Sequence, residues 1–209
     1  MKTKILLLLI LNLLSNNCLL HADSPLTSTE INRPYSSKRV VILAGKGSLT
    51  GRLMKYLASE KNPINAKMAV INRIGWDHEG ICNAGKFCEF LMDRKGYRSW
   101  DDLCENGSGH ELLCLAYLKA MDNYYDTEEA ASIAEKATAM NPESFTFNII
   151  TALIKSQKKL LEFDWCEAYN ITNRVRENHH LCNDMNYEAV WIIFKYMDQY
   201  REYCGEEGR

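Results

Sequence analysis

The sequence predicts an all-α fold in one domain, with at most a minor strand element. Helix start signals recur along the chain, and apolar residues spaced three and four apart follow them, as between His110 and Tyr124. Only Arg39 to Ala44 (RVVILA) has the short β-branched run that is typical of a strand. The connections are short, and neither an internal repeat nor a change in composition marks a second domain.

The first 22 residues are typical of a secretory signal peptide. Lys2 and Lys4 precede an apolar run from Ile5 to Leu14, and a polar patch ends at Ala22, a small residue suited to cleavage. No later stretch approaches the roughly 20 apolar residues of a membrane-spanning helix. We therefore expect a secreted or periplasmic protein with no transmembrane segment, its signal peptide removed near Ala22.

The rest of the chain is expected to form a flexible arm, one helical domain and a polar tail. Residues 23–38 are polar, lack periodicity and carry two of the four prolines, so they are the expected arm. The domain spans 39–204, and the tail spans 205–209. Loss of Lys2 and Lys4 takes the formal net charge from −2 to −4, and a mildly acidic protein has no electrostatic footprint for nucleic acid.

Seven cysteines remain after the signal peptide, and in an exported protein we expect disulfides. The odd number leaves one spare thiol or one intermolecular bridge. The spare thiol is expected at Cys204. The local candidate pairs are Cys82 with Cys88, Cys104 with Cys114, and Cys166 with Cys182. No CxxC pair occurs, so neither a metal site nor a cofactor is predicted.

The segment from Pro63 to Ile74 is expected to be the central helix. Asn62 is a good N-cap, Pro63 suits the first helical position, and Gly75 can end the helix. Because apolar residues lie on nearly every face, Val70 and Ile71 should be buried. The other expected helices are Thr50–Ala58, a short turn from Ser99, His110–Tyr124, Glu128–Met140 capped by Asp126 with Glu129, Asn141–Leu161, Asp164–Val175, and Tyr187–Tyr203 after Asp184.

Glu60 is the candidate general acid-base. It lies just before the central helix, and a carboxylic acid in an apolar pocket can stay protonated near neutral pH. Asn72 and Arg73 could brace the acid or the substrate, although Arg73 could equally pair with a carboxylate such as Asp77 at the helix end. The alternative for Glu60 is a solvated surface position beside Lys61.

Aromatic and histidine side chains supply candidate substrate contacts. Phe87 belongs to a dense aromatic stretch between Trp76 and Trp100 that could stack on sugar rings, or could form core. His179 and His180 follow an expected helix, so one ring could reach a cleft, although a hydrogen-bonded structural role is the default for a histidine.

The order of these landmarks resembles the cell wall hydrolase family of the spore-cortex-lytic enzyme (SleB) type. Glu60 followed by AKMAVINRI is similar to that family's Glu before an apolar helix that ends in Asn-Arg, and ICNAGKFCEF places Phe87 at its Gln-Phe position. Trp165 and either His179 or His180, in WCEAYNITNRVRENHHLC, are similar in spacing to its late Trp and His. The resemblance implies a lysozyme-like helical domain that cleaves peptidoglycan glycan strands, as a hydrolase or lytic transglycosylase.

The chain also departs from that family's pattern. Lys86 stands at the Gln position, and a different placement of the gap puts Leu57 at the acid's position. A degenerate, non-catalytic relative would show such departures.

A second resemblance is to small exported immunity proteins that neutralise wall-degrading toxins of rival bacteria. The stretch CENGSGHELLCLAYLKAMDNYY and a late cysteine carry it, through Cys104, Cys114, Tyr117 and Cys166. It implies a non-catalytic inhibitor whose partner is a toxin protein. It leaves the stretch from Glu60 to Arg73 unexplained.

Overall fold

The computed structural model describes residues 24–76 and 82–205. The expected signal peptide and residues 206–209 of the expected tail lie outside this range, as does Asp77, the carboxylate considered for Arg73. Within the described residues the chain forms one hydrophobic core and only helices, which confirms the all-α, single-domain prediction. The ten α-helices are α1 Arg39–Ala44, α2 Gly51–Ala58, α3 Ile64–Ile74, α4 Asn83–Lys95, α5 Trp100–Asn106, α6 Gly109–Asp122, α7 Glu128–Met140, α8 Phe145–Leu161, α9 Trp165–Glu177 and α10 Tyr187–Met197. Two 3₁₀ helices, Arg33–Tyr35 and Asp198–Cys204, lie near the ends of the described chain.

Helix α3 is central, as predicted. Met68, Val70 and Ile71 have no exposed surface, and the helix packs against α1 and α6. The expected cap is wrong by one residue, because Pro63 takes the N-cap position. Asn62 instead donates from Nδ2 to the Tyr56 carbonyl oxygen at 2.8 Å, which ties the preceding loop to α2.

Helix α6 is the second core helix, and it is buried on nearly every face rather than along one stripe. It begins with a complete capping box, in which Ser108 Oγ accepts from Glu111 N and Glu111 Oε2 accepts from Ser108 N. It packs against α3, α4 and α7. Helices α7, α8 and α9 then pack in succession to complete the domain.

The segment Arg39 to Ala44, the candidate for a minor strand, is helix α1 instead. Val41 and Ala44, three residues apart, are both buried beside α3. Burial at helical spacing overrides the weak strand preference of a β-branched run. The minor strand element reduces to one parallel bridge between Ser144 and Cys182 among the described residues.

The described part of the expected flexible arm is packed into the core, which corrects that prediction. Leu26, Ile31 and Tyr35 are almost fully buried. Ser24 Oγ donates to Gln157 Oε1 of α8 at 2.5 Å, and the Tyr35 hydroxyl accepts from Asn186 N at 2.9 Å. The three apolar side chains lack a helical or strand period, so their burial was not predictable from the hydrophobic pattern.

The cysteine pairing also differs from the expected scheme. Cys204, the expected spare thiol, forms a disulfide with Cys166 across a Cα–Cα distance of 4.7 Å. It joins α9 to the C-terminal 3₁₀ helix. The other five cysteines of the described chain are free, and burial raises the pKa of the Cys114 thiol to about 12. The pairs Cys82–Cys88, Cys104–Cys114 and Cys166–Cys182 therefore do not form.

Several helices begin or end at residues other than those predicted, each for a local reason. Helix α8 begins at Phe145 because Ser144 Oγ, rather than Asn141, accepts from Phe147 N at 3.2 Å. Helix α7 begins after Thr127 without a side-chain cap. The last predicted helix tightens into a 3₁₀ helix after Met197. None of the helices in the described ranges combines the length and the apolarity needed to cross a membrane.

Candidate functional site

Glu60 and Arg73 lie at opposite ends of α3. Glu60 is exposed in the loop before the helix, and Arg73 is exposed in its last turn. A rise of 1.5 Å per residue puts Arg73 about 14 Å along the axis from the start of α3. The Arg73 guanidinium instead covers Gly45 at the end of α1, where an added Cβ would lie 2.9 Å from its Nε. The predicted pair of acid and supporting cation is therefore not brought together.

Asn72 serves the fold rather than a cleft. It is buried, and Asn32 donates to its Oδ1 from the backbone N at 3.1 Å and from Nδ2 at 2.6 Å. Its own Nδ2 donates to the Thr29 carbonyl oxygen at 3.0 Å and to the Tyr117 hydroxyl at 3.1 Å. These contacts use both ends of the amide to hold the N-terminal segment on the core. No end of the Asn72 amide is left over for a substrate in this arrangement.

Phe87 is likewise a core residue. It has no exposed surface and belongs to the inner face of α4, together with Leu91. A ring that is fully enclosed by protein cannot stack on a sugar. The alternative stated for the aromatic stretch, that it forms core, applies at this position.

Trp165 lies at the start of α9, and the two histidines follow its end. The Trp165 ring is half-buried in the first turn and meets the Tyr203 ring edge to face at 4.3 Å between centroids. His179 and His180 are exposed in the turn that follows the helix. Thirteen residues of α-helix extend about 18 Å, so Trp165 and the histidines do not line one sugar cleft.

A buried lysine of α3 contacts a histidine of α6. Lys67 of α3 has no exposed surface, and its Nζ lies 3.2 Å from Nδ1 of His110 on α6. Burial lowers the pKa of both side chains, and Lys67 lowers that of His110 further. An ammonium group can only donate, so His110 Nδ1 accepts and the neutral imidazole carries its proton on Nε2. The Glu60 carboxylate is close enough to offset part of this lowering of the Lys67 pKa.

Glu111, the next residue after His110, is the centre of a second buried polar group. Lys95 Nζ lies 2.6 Å from Oε1, and the Tyr97 hydroxyl donates to Oε2 at 2.8 Å. Burial opposes ionisation, but the bonds from Lys95, Ser108 and Tyr97 outweigh it and lower the pKa of Glu111. Burial and the bond to Glu111 raise the pKa of Tyr97 to about 12. This group joins the end of α4 to the start of α6, and the sequence signal for it was the capping box of Ser108 and Glu111.

Two of the surface cavities among the described residues have volumes of about 500 Å³, which is enough for a small ligand. One of 480 Å³ lies among α7, α8 and α9 and is lined by paired charges, including Glu135 with Lys155. The other, of 490 Å³, lies among α4, α5, α6 and α7. Trp100, Lys119 and Glu129 meet there, with Lys119 Nζ 5.2 Å above the Trp100 ring and 2.8 Å from Glu129 Oε2. Neither cavity is lined by a predicted site residue.

An exposed apolar surface lies at the junction of α8 and α9, and we call it the Phe163 surface. It consists of Leu161, Phe163, Trp165 and Tyr203. Phe163 is 81% exposed and Tyr203 is 48% exposed. Cys166 follows Trp165 and Cys204 follows Tyr203 in the sequence, so the disulfide joins the two segments that carry this ring pair. Only Trp165 of this surface was a predicted site residue.

The residues predicted to form one site are therefore spread over the fold, and the Phe163 surface lies apart from most of them. Within 24–76 and 82–205, no three His, Cys, Asp or Glu side chains are placed to hold a metal ion. Comparison with protein-family models, with curated proteins and with solved structures found no match.

Proposed function

We propose that this chain is an exported, non-catalytic protein that binds a wall-degrading toxin and inhibits it. The Phe163 surface is the observation that carries the proposal. Large aromatic side chains that stay exposed on a rigid support are typical of protein-binding surfaces. The toxin as partner comes from the resemblance to exported immunity proteins stated above.

The disulfide supports export. Structural disulfides persist in the periplasm and outside the cell and are rare in the cytosol. Cys166 and Cys204 are paired, and the first 22 residues have the pattern of a signal peptide. Both features support a location in the periplasm or outside the cell, where a wall-degrading toxin acts.

The positions of the predicted catalytic residues favour the inhibitor over the glycan-cleaving enzyme. A general acid works from a pocket that also holds its supporting groups and the substrate. Glu60 is exposed, Arg73 lies at the other end of α3, and Phe87 is enclosed in the core. Cleavage of peptidoglycan glycan strands therefore stays a prediction that the positions of these residues do not support.

One experiment separates the two functions. The mature chain is incubated with purified peptidoglycan, alone and together with a purified muramidase, a lytic transglycosylase or a wall-peptide amidase, and fragments are measured by mass spectrometry. We expect no fragments from the chain alone and loss of fragments from one of the three enzymes at near-equimolar inhibitor. Fragment release by the chain alone that Glu60→Gln abolishes would overturn the proposal, because losing a general acid costs about 10²–10⁴ in rate.

A further inference from the structure

The turn that presents Phe163 is a Schellman motif with an unusual residue in it. Helix α8 ends at Leu161, and Phe163 N donates to the Leu160 carbonyl oxygen at 3.1 Å. Asp164 N donates to the Lys159 carbonyl oxygen at 2.9 Å. Phe163 therefore occupies the left-handed position of the motif, with φ 60°. Glycine is the usual residue there because a Cβ is strained in that conformation.

A phenylalanine at this position provides the fold with no packing that would offset the backbone strain. Phe163 is the one residue other than glycine with positive φ among the described residues. A buried ring could offset the strain through packing, but this ring is 81% exposed. Backbone strain that packing does not offset is typical of residues with a functional role, such as binding a partner.

The turn fixes the backbone from which the Phe163 ring projects. Both hydrogen bonds of the motif hold the backbone on either side of Phe163, and the disulfide holds the next turn of the chain through Cys166. A backbone held in this way loses little conformational freedom on binding, so the ordering cost falls mainly on the Phe163 side chain itself. Large aromatic side chains on a fixed backbone are frequent binding hot spots.

Four carboxylates lie close in sequence to Phe163, Trp165 or Tyr203. Glu162 pairs with Lys159 at 2.7 Å, and Glu167 pairs with Arg174 at 2.7 Å. Asp164 and Glu202 have no cation within ion-pairing distance among the described residues. Asp164 follows Phe163 directly, and Glu202 precedes Tyr203 of the same surface. Arg201, which precedes Glu202, is also without an ion pair among the described residues, so the unpaired groups beside the apolar side chains leave an excess of one negative charge.

We propose that Phe163 is the anchor of the toxin-binding surface and inserts into an apolar recess of the toxin that has a basic rim. This inference rests on the proposed inhibitory function and names the surface that performs it. Asp164 and Glu202 face the basic rim, and Leu161, Trp165 and Tyr203 cover the apolar area around the recess. Opposed charges of this kind speed association and set orientation more than they add affinity.

Three variants and one matched control test the anchor in the inhibition assay described above. Phe163→Ala and Phe163→Gly should each weaken inhibition by about 30-fold or more, the loss typical of a hot spot. Phe163→Gly should also raise Tm by about 1–4 °C, because glycine relieves the left-handed strain. Tyr187→Ala is the control, since Tyr187 is 82% exposed but lies at the far end of α10 from the C-terminal 3₁₀ helix. It should leave inhibition unchanged.

The third variant tests the rim. Asp164→Asn combined with Glu202→Gln removes both charges, and asparagine can still cap α9 by accepting from Glu167 N. We expect a several-fold slower association at low salt and a weaker dependence on salt concentration.

The outcomes separate the two proposals. Inhibition that Phe163→Ala leaves intact, or that Tyr187→Ala reduces equally, overturns the anchor and leaves the inhibitory function standing. Inhibition of none of the three enzymes overturns the inhibitory function and the anchor with it. Loss of inhibition in Phe163→Gly together with a lower Tm would also count against the anchor, because the fold would then need the ring.

Discussion

Lys67 Nζ lies 3.2 Å from His110 Nδ1 at the contact between the two core helices α3 and α6. Lys67 has no exposed surface, and His110 is half-buried against Phe147 at 5.7 Å between ring centroids. A positive charge at this depth makes protonation of the neighbouring imidazole unfavourable. The contact therefore links the stability of the core to pH.

His110 should make the protein less stable as the pH falls from 7 towards 5. Burial and Lys67 lower its pKa below 6.5 in the folded state. In this window the unfolded chain binds more protons than the folded chain, so the free energy of unfolding decreases as the pH falls. Denaturant unfolding of wild type and His110→Gln at pH 7, 6 and 5 measures this. The variant should show a smaller decrease, and equal pH dependence in the two proteins would contradict the prediction.

Glu111→Gln should destabilise the protein by roughly 2–3 kcal/mol, because hydrogen bonds to a buried charged group are stronger than neutral ones. Lys95 and Tyr97 would lose their charged partner. The folded-state pKa of Glu111 is lowered, so its contribution is present above pH 4.5 and is lost as the pH falls through the folded value.

Glu105→Gln is the matched control, because Glu105 is exposed on α5. Its effect should stay within about 0.5 kcal/mol. Thermal and denaturant unfolding at pH 7 measure both variants. Equal stability of the two would show that the buried network contributes nothing.

The helices that the sequence predicted best are those with both a capping residue and apolar periodicity. Ser99, Thr50 and Asp164 cap α5, α2 and α9 as expected. The near-uniform apolarity of α3 predicted its burial correctly. These signals are local, and tertiary contacts agree with them.

Features that depend on distant partners were not predictable in the same way. The burial of Leu26 and Ile31 depends on a surface supplied by helices far along the chain. Cys166 meets Cys204 because the C-terminal 3₁₀ helix runs back along α9, whereas spacing alone favoured Cys182.

The candidate site shows the same limit. Glu60 and Arg73 are close in sequence, but a helix between them sets them apart, and Phe163 had no motif to mark it. Its left-handed conformation exists only in the folded turn.

Asn72→Ala should destabilise the protein by about 2–3 kcal/mol, because Asn32 and Tyr117 would lose buried hydrogen-bond partners. The loss should appear locally as faster amide hydrogen exchange in the segment from Thr29 to Tyr35. Asn106→Ala, at an exposed position on α5, is the control and should cost less than about 0.5 kcal/mol. Unchanged exchange in the N-terminal segment of Asn72→Ala would mean that other contacts hold it in place.

Removal of the disulfide should destabilise the protein and disturb the Phe163 surface together. The bond closes a loop with a sequence separation of 38, for which chain entropy predicts a loss of about 3–4 kcal/mol in Cys166→Ser or Cys204→Ser. Without it, Tyr203 is no longer fixed beside Trp165, so under the proposed function inhibition in the peptidoglycan assay should weaken as well. Cys182→Ser is the matched control, because Cys182 is exposed and free, and it should change neither stability nor inhibition. Non-reducing peptide mapping of wild type should recover the Cys166 and Cys204 peptides as one linked species. Recovery of a Cys166–Cys182 link instead would contradict both the pairing and the support it gives to the binding surface.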